Sequence, residues 1–395
     1  MRSARSAFAA SVLLVVAACS GGSDDASDAD VAIETAVEAD VDDDTADEPG
    51  DAEVETEPAE TEPEPVLGDA QSDEGAAMDD ADEGVADDES VDEDADPGFT
   101  IEGPARVRPA CDSLVRGVND LVLDAGGFEH DVRIYVPEVT SSDPAPVVLN
   151  WHGLGSNGPE QAAFSGYESL AEREGFVVVH ATGVDVGTGP SWELQQFDTP
   201  ERDDIAFADA LIDLVVDDWC GDPFRVYSTG MSNGGLFTSE LVCNLAGKIA
   251  AAASVAGVTH VDECFPDRPV PYVAYHGTAD TVVPFGGGEP SVLLPPDAVD
   301  ALIDEGTLGE FDDFAEDFEC DPEPVRTEET AEVVRYDFTG CLNGVPLTFY
   351  EIVDGGHTWP SSPLADPTLG LDVSGFTFDV DATADAWAFM SQHSL

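Results

Sequence analysis

The sequence predicts an α/β fold built on a mainly parallel sheet, and three observations carry that expectation. From about residue 105 onward, short apolar runs alternate with stretches whose apolar residues recur at helical spacing, the pattern of strands and helices stacked on a buried sheet. One such run, Val226-Tyr227-Ser228-Thr229, leads into Gly230-Met231-Ser232-Asn233-Gly234-Gly235 and then a helical pattern at Leu236, Leu241 and Leu245. That is the strand–turn–helix setting in which a serine sits on a sharp turn whose flanking glycines remove clashing Cβ atoms. Two further loops, carrying Asp280 and His357, each follow directly on a strand-like run, at the carboxyl edge where open parallel sheets bind ligands.

Taken in order, residues 1–18 read as an export leader, with Arg2 and Arg5 ahead of an apolar run too short to span a bilayer as a mature helix. The leader ends Val16-Ala17-Ala18-Cys19-Ser20, which resembles a bacterial lipoprotein box with Cys19 as the lipid-modified residue; a plain secretory signal is the other reading. Residues 19–104 form an acidic, aromatic-poor segment that buries too little apolar surface to offset its ordering entropy, so it is expected to be a disordered stalk. Asp92-x-Asp94-x-Asp96 within it has the opening of a calcium loop, but Pro97 stands where the turn glycine belongs.

The folded domain is expected over 105–395. Runs at 121–123 and 132–136 predict two strands around Gly126-Gly127, and 146–151 predicts a buried strand entering the loop His152-Gly153-Leu154-Gly155. A helix is expected over 162–173, a strand over 176–180, and a helix over 205–219 capped by Asp203 and Asp204. Beyond the strand and turn at Ser232, strands are expected over 251–256, 270–276 and 347–353, with Pro346 just ahead of the last, and a closing helix over 381–392.

Charge excludes one class of partner. The chain has 395 residues with 85 acids against 13 bases, net −72. Residues 20–104 hold 34 of the acids, so residues 105–395 keep 51 against 11 bases and are themselves strongly negative. Nucleic acid needs cationic patches, and this chain offers none. Membrane contact is expected only through a lipid at Cys19, with no obligate protein partner and neither cofactor nor metal.

The order Ser232, Asp280, His357 is the order the α/β-hydrolase fold requires of a nucleophile, an orienting acid and a base. His357 would take the Ser232 proton and return it to the leaving group, while Asp280 would fix the imidazole tautomer. The oxyanion needs preorganised donors, and the backbone N–H groups of Asn233 and Leu154 are the expected pair. His152 either braces its loop or lines the substrate pocket; Trp192 and Trp359 either line an acyl or aromatic pocket or pack in the core. Six cysteines remain after Cys19, an even number in an exported chain, which implies three disulfides among 15 possible pairings. Cys320 and Cys341 flank a plausible hairpin; of the three pairings open to the other four, Cys243 with Cys264 and Cys111 with Cys220 is the one expected.

Together, His152-Gly153-Leu154-Gly155, Ser191-Trp192, Asp203-Asp204, the Ser232 turn, His276-Gly277-Thr278-Ala279-Asp280 and Gly355-Gly356-His357-Thr358-Trp359-Pro360 resemble the secreted polyhydroxybutyrate depolymerase and feruloyl esterase family, within carbohydrate esterase family one. The resemblance runs from about Cys111 to the C-terminus. It implies metal-free serine esterase chemistry on substrates ranging from polyhydroxyalkanoates to feruloyl or acetyl groups on xylan. No separate polymer- or carbohydrate-binding module is read after the catalytic domain, a departure from polymer-degrading members. An acyltransferase with the same triad and a non-catalytic surface-binding lipoprotein on a hydrolase scaffold are the alternatives.

Overall fold

Every residue from Val147 to Trp151 is buried, so this strand must be covered on both faces, as parallel sheets are. The computed structural model shows how. It describes residues 111–395 apart from 139–142, 186, 188, 195–201, 262–263, 265, 267, 288–305 and 366–374. The expected leader, the lipidation site Cys19, and the stalk with Asp92 to Asp96 lie outside the described residues.

Ten strands form the main sheet among the described residues. In chain order they are β1 (Gly117–Ala125), β2 (Phe128–Val136), β3 (Ala145–Trp151), β4 (Val177–Ala181), β7 (Gly221–Met231), β8 (Ala251–Val255), β9 (Tyr272–Gly277), β10 (Val325–Glu328), β11 (Val333–Phe338) and β12 (Leu347–Ile352). The short strands β5 (Val184–Asp185) and β6 (Pro190–Ser191) pair with each other. Across the sheet the order is β1-β2-β4-β3-β7-β8-β9-β12-β11-β10. The central block from β4 to β12 is parallel. β1 and β2 at one edge, and β11 and β10 at the other, run antiparallel to their neighbours.

Six helices flank the sheet: α1 (Gly158–Ser165), α2 (Tyr167–Glu174), α3 (Asp204–Asp218), α4 (Asn233–Asn244), α5 (Thr307–Asp317) and α6 (Ala382–Met390), counted among the described residues. The period-2 alternation of β3 sorts them. Val147, Leu149 and Trp151 join one core with Phe207 and Leu211 of α3, Phe237 and Leu241 of α4, and Phe311 and Phe314 of α5. Val148 joins the other, with Tyr167 and Leu170 of α2 and Ala386 and Met390 of α6. This is a sheet with a helical layer on each face, and with the Ser232 turn between β7 and α4 it is the α/β-hydrolase fold.

Most expected elements stand within a few residues of their predicted bounds. One differs in kind. The single helix expected over 162–173 is two, because Gly166 adopts φ 74° and ψ 12° and closes α1 through its N–H to the Ala162 carbonyl. The α5 helix and the β10–β11 hairpin complete the domain, and Cys320–Cys341 does close around that hairpin. Cys111–Cys220 and Cys243–Cys264 are the other two disulfides.

Candidate active site

The β7–α4 turn is the centre of the site. Ser232 has φ 55° and ψ −123°, a conformation that a residue with a Cβ adopts only where its surroundings over-determine it. Three of those surroundings are backbone. A Cβ added at Gly234 would collide with the Trp151 carbonyl, one at Gly230 with the Gly234 carbonyl, and one at Gly257 with Ser232 itself. The Ser232 N–H donates to the Val255 carbonyl at 2.9 Å, and its carbonyl receives the N–H groups of Gly235 and Leu236. The serine is thus wedged at the N-terminus of α4, where the helix presents free N–H groups and partial positive charge.

The loop after β3 lies against it. A Cβ on Gly153 would stand 3.3 Å from Ser232 Cβ and 3.8 Å from its Oγ. The loop that carries Leu154 thus packs directly on the turn that carries Ser232 and Asn233.

Asp280 and His357 form the second half. His357 Nδ1 donates to Asp280 Oδ2 at 2.7 Å, which leaves Nε2 as the free ring nitrogen. Asp280 Oδ1 accepts the N–H groups of Val282 and Val283 at 2.8 and 3.0 Å, so the carboxylate is gripped by its own turn. The loops after β9 and β12 are laced together. Ala279 N–H donates to the Gly355 carbonyl, Thr278 N–H to the Ile352 carbonyl, and Asp354 N–H to Thr278 Oγ1. No hydrogen bond joins Ser232 to His357 among the described residues, and such contacts are commonly long until substrate is bound.

A residue that composition alone did not single out completes this half. His276 is buried, donates from Nε2 to the Val283 carbonyl at 2.9 Å, and stands 3.3 Å from Asp280 Oδ2. Burial alone would push the Asp280 carboxyl up. The hydrogen bonds from His276 and His357, with their charge, outweigh that and hold it well below the usual carboxylate range. The usable signal was a histidine closing an otherwise apolar strand four residues before the acid.

The pocket reading of His152, Trp192 and Trp359 is corrected by burial, since none offers more than 2 % of its surface. His152 accepts the Gly183 N–H at Nε2 and donates from Nδ1 to the Gly153 carbonyl, so both nitrogens are spent. Burial pushes its pKa down to about 4. Trp192 stacks on Phe237 and donates to the His152 carbonyl; Trp359 donates to Thr383 Oγ1. An aromatic residue type does not distinguish a pocket wall from a core wall. Among the described residues no His, Cys, Asp and Glu side chains gather as a metal site would require.

No family model matches the chain. Curated relatives do. It is 28 % identical over 256 residues to a bifunctional acetylxylan esterase/xylanase of Neocallimastix patriciarum, covering 63 % of this chain and 34 % of that one. It is 28 % identical over 223 residues to feruloyl esterase B of Piromyces equi, covering 55 % and 40 %. It is 27 % identical over 256 residues to feruloyl esterase C of Emericella nidulans, covering 62 % and 80 %. The chain thus spans well under half the length of the first two relatives. By sequence kinship and by fold, the chain is an α/β-hydrolase similar to the feruloyl and acetylxylan esterases.

Proposed function

We propose that the chain is a serine carboxylic-ester hydrolase in which Ser232 attacks the ester carbonyl, His357 takes the Ser232 proton and delivers it to the leaving alkoxide, and Asp280 holds the imidazole. The observation that carries this reading is the 2.7 Å bond from His357 Nδ1 to Asp280 Oδ2, with Ser232 held at positive φ on a strand–helix turn of the same sheet. With Nδ1 committed to the carboxylate, Nε2 is the nitrogen left to accept a proton, which is the tautomer a general base needs. Charge on the carbonyl oxygen falls to the N–H groups of Asn233 and Leu154. Water then repeats the sequence on the acyl-enzyme and releases the acid.

The substrates this reading favours are feruloyl and acetyl esters of plant polysaccharide, in keeping with the acetylxylan and feruloyl esterases the chain resembles. Polyhydroxybutyrate-type oligoesters are the second class. Export follows from the leader at residues 1–18, with Cys19 as the lipid anchor. Side-by-side turnover of methyl ferulate, acetylated xylan and short 3-hydroxybutyrate oligomers tests the assignment. Release of ferulate or acetate that disappears in Ser232→Ala is the expected result, and a wild type inert toward all three contradicts it.

A further inference from the structure

The buried ion pair between Arg202 and Asp204 has no part in the chemistry above, and its side chains are only 3 % and 1 % exposed. A buried pair is a poor stabiliser for its own sake, because desolvating two charges offsets most of their attraction. What it grips is main chain. Arg202 Nη2 donates both to Asp204 Oδ2 and to the Ser191 carbonyl, and Nε donates to Asp204 Oδ1 at 3.0 Å. Asp204 Oδ2 in turn accepts the Glu193 N–H at 2.8 Å. The pair therefore clasps the backbone on both sides of Trp192.

That clasped segment touches the site twice. The Trp192 N–H donates to Asn233 Oδ1 at 2.7 Å, and Asn233 Nδ2 donates back to the Trp192 carbonyl at 3.0 Å, a reciprocal lock on the residue after Ser232. From the same segment, the Pro190 carbonyl accepts the Gly155 N–H at 2.8 Å, and the Trp192 indole donates to the His152 carbonyl at 3.0 Å. Those two bonds bracket Leu154.

We infer that Arg202 and Asp204 are positioning residues that hold the segment from Pro190 to Glu193 as one brace for both oxyanion donors, the N–H groups of Asn233 and Leu154. The inference rests on the esterase reading and deepens it. Donors on two separate loops must converge on one oxygen to within a few tenths of an ångström, and a shared rigid strap sets their separation in a way neither loop does alone. The fork of an arginine suits the task, since it reaches a carboxylate and a carbonyl at once.

The test uses the full chain carrying Asp204→Asn, and separately Asn233→Ala, which cuts the lock while keeping the backbone N–H. Each is measured for kcat and KM on a soluble aryl acetate. Each is also titrated with an aryl trifluoromethyl ketone, which adds the serine hydroxyl and leaves an oxyanion where the tetrahedral intermediate would be. The expected result is a kcat tenfold or more below wild type at unchanged KM, with ketone affinity weakened by a similar factor and cooperative melting retained. Where Asp204→Asn does not fold, Asn233→Ala decides alone. A folded variant whose kcat and ketone affinity stay within threefold of wild type overturns the inference, as does a loss confined to KM. A wild type that neither hydrolyses the acetate nor binds the ketone overturns the esterase reading, and the brace with it.

Discussion

The two halves of the site are held by different forces. Ser232 is fixed by close approach of backbone, with Gly230, Gly234 and Gly257 each filling space that no Cβ would share. Asp280 and His357 are fixed mainly by directed hydrogen bonds, from two turn N–H groups, two imidazoles and three cross-loop contacts. Even there Gly277 abuts the Gly355 carbonyl, so packing contributes, but it does not set the carboxylate's orientation. Steric exclusion is all-or-none, whereas hydrogen bonds can be removed one at a time. On the proposed chemistry, the nucleophile half should therefore fail abruptly and the acid–base half by degrees.

The largest separation of the two is expected from Asp280→Asn, which keeps the shape of the acid–base half but reverses the imidazole tautomer. Turnover should fall by about 10⁴-fold, the scale of losing the orienting carboxylate of a triad, with the fold intact by circular dichroism. Gly234→Ala should do the opposite, losing roughly 3 kcal/mol or more in urea melts, because the methyl group meets the Trp151 carbonyl within a packed turn. A Gly234→Ala protein as stable as wild type would break the steric side of the comparison.

How much of this was legible in the chain differs by half in the same way. The Ser232 turn was readable because its signal is local, a Gly-x-Ser-x-Gly between two periodic segments. Asp280 and His357 were readable because each follows a buried strand, and strand ends converge. The clasp of Arg202 on the segment around Trp192, the Asn233 lock and the approach of His276 to Asp280 were not, since each depends on which loops fold together. α5 was hidden by its acids, which leave only a narrow apolar stripe at Phe311, Phe314 and Ala315. Gly166 broke a helical pattern that apolar spacing alone carried straight through.

Acid should also resolve the halves, over different ranges. His152, behind the nucleophile, and His180, in the core, are pushed down by burial to about 4 and about 3. Below about 6.5 the unfolded chain takes up protons that these folded imidazoles refuse, so stability falls from pH 6.5 toward 4, by about 3 kcal/mol for His152. Asp280 has the opposite cause and a lower window. Its folded pKa is depressed, so its contribution is complete above the unfolded value near 4 and is lost only as pH falls below that. Urea midpoints measured from pH 8 to 3 should show the decline starting near 6.5, and His152→Gln should blunt its upper part. A flat profile down to pH 4 would contradict the burial assigned to these histidines.

The smallest effect belongs to a single cross-loop bond. Thr278→Val removes the acceptor for the Asp354 N–H at 2.8 Å and should cost about 1 kcal/mol, with turnover reduced only a few-fold. A Thr278→Val loss as large as that of Gly234→Ala would show that the acid–base half is not graded after all.

The central claim, that the turn makes Ser232 a nucleophile, is tested most directly by a fluorophosphonate probe read by intact mass and peptide mapping. One covalent adduct is expected on the wild type, located at Ser232, and none on Ser232→Ala. An unlabelled wild type, or equal labelling of the Ser232→Ala protein, would contradict it.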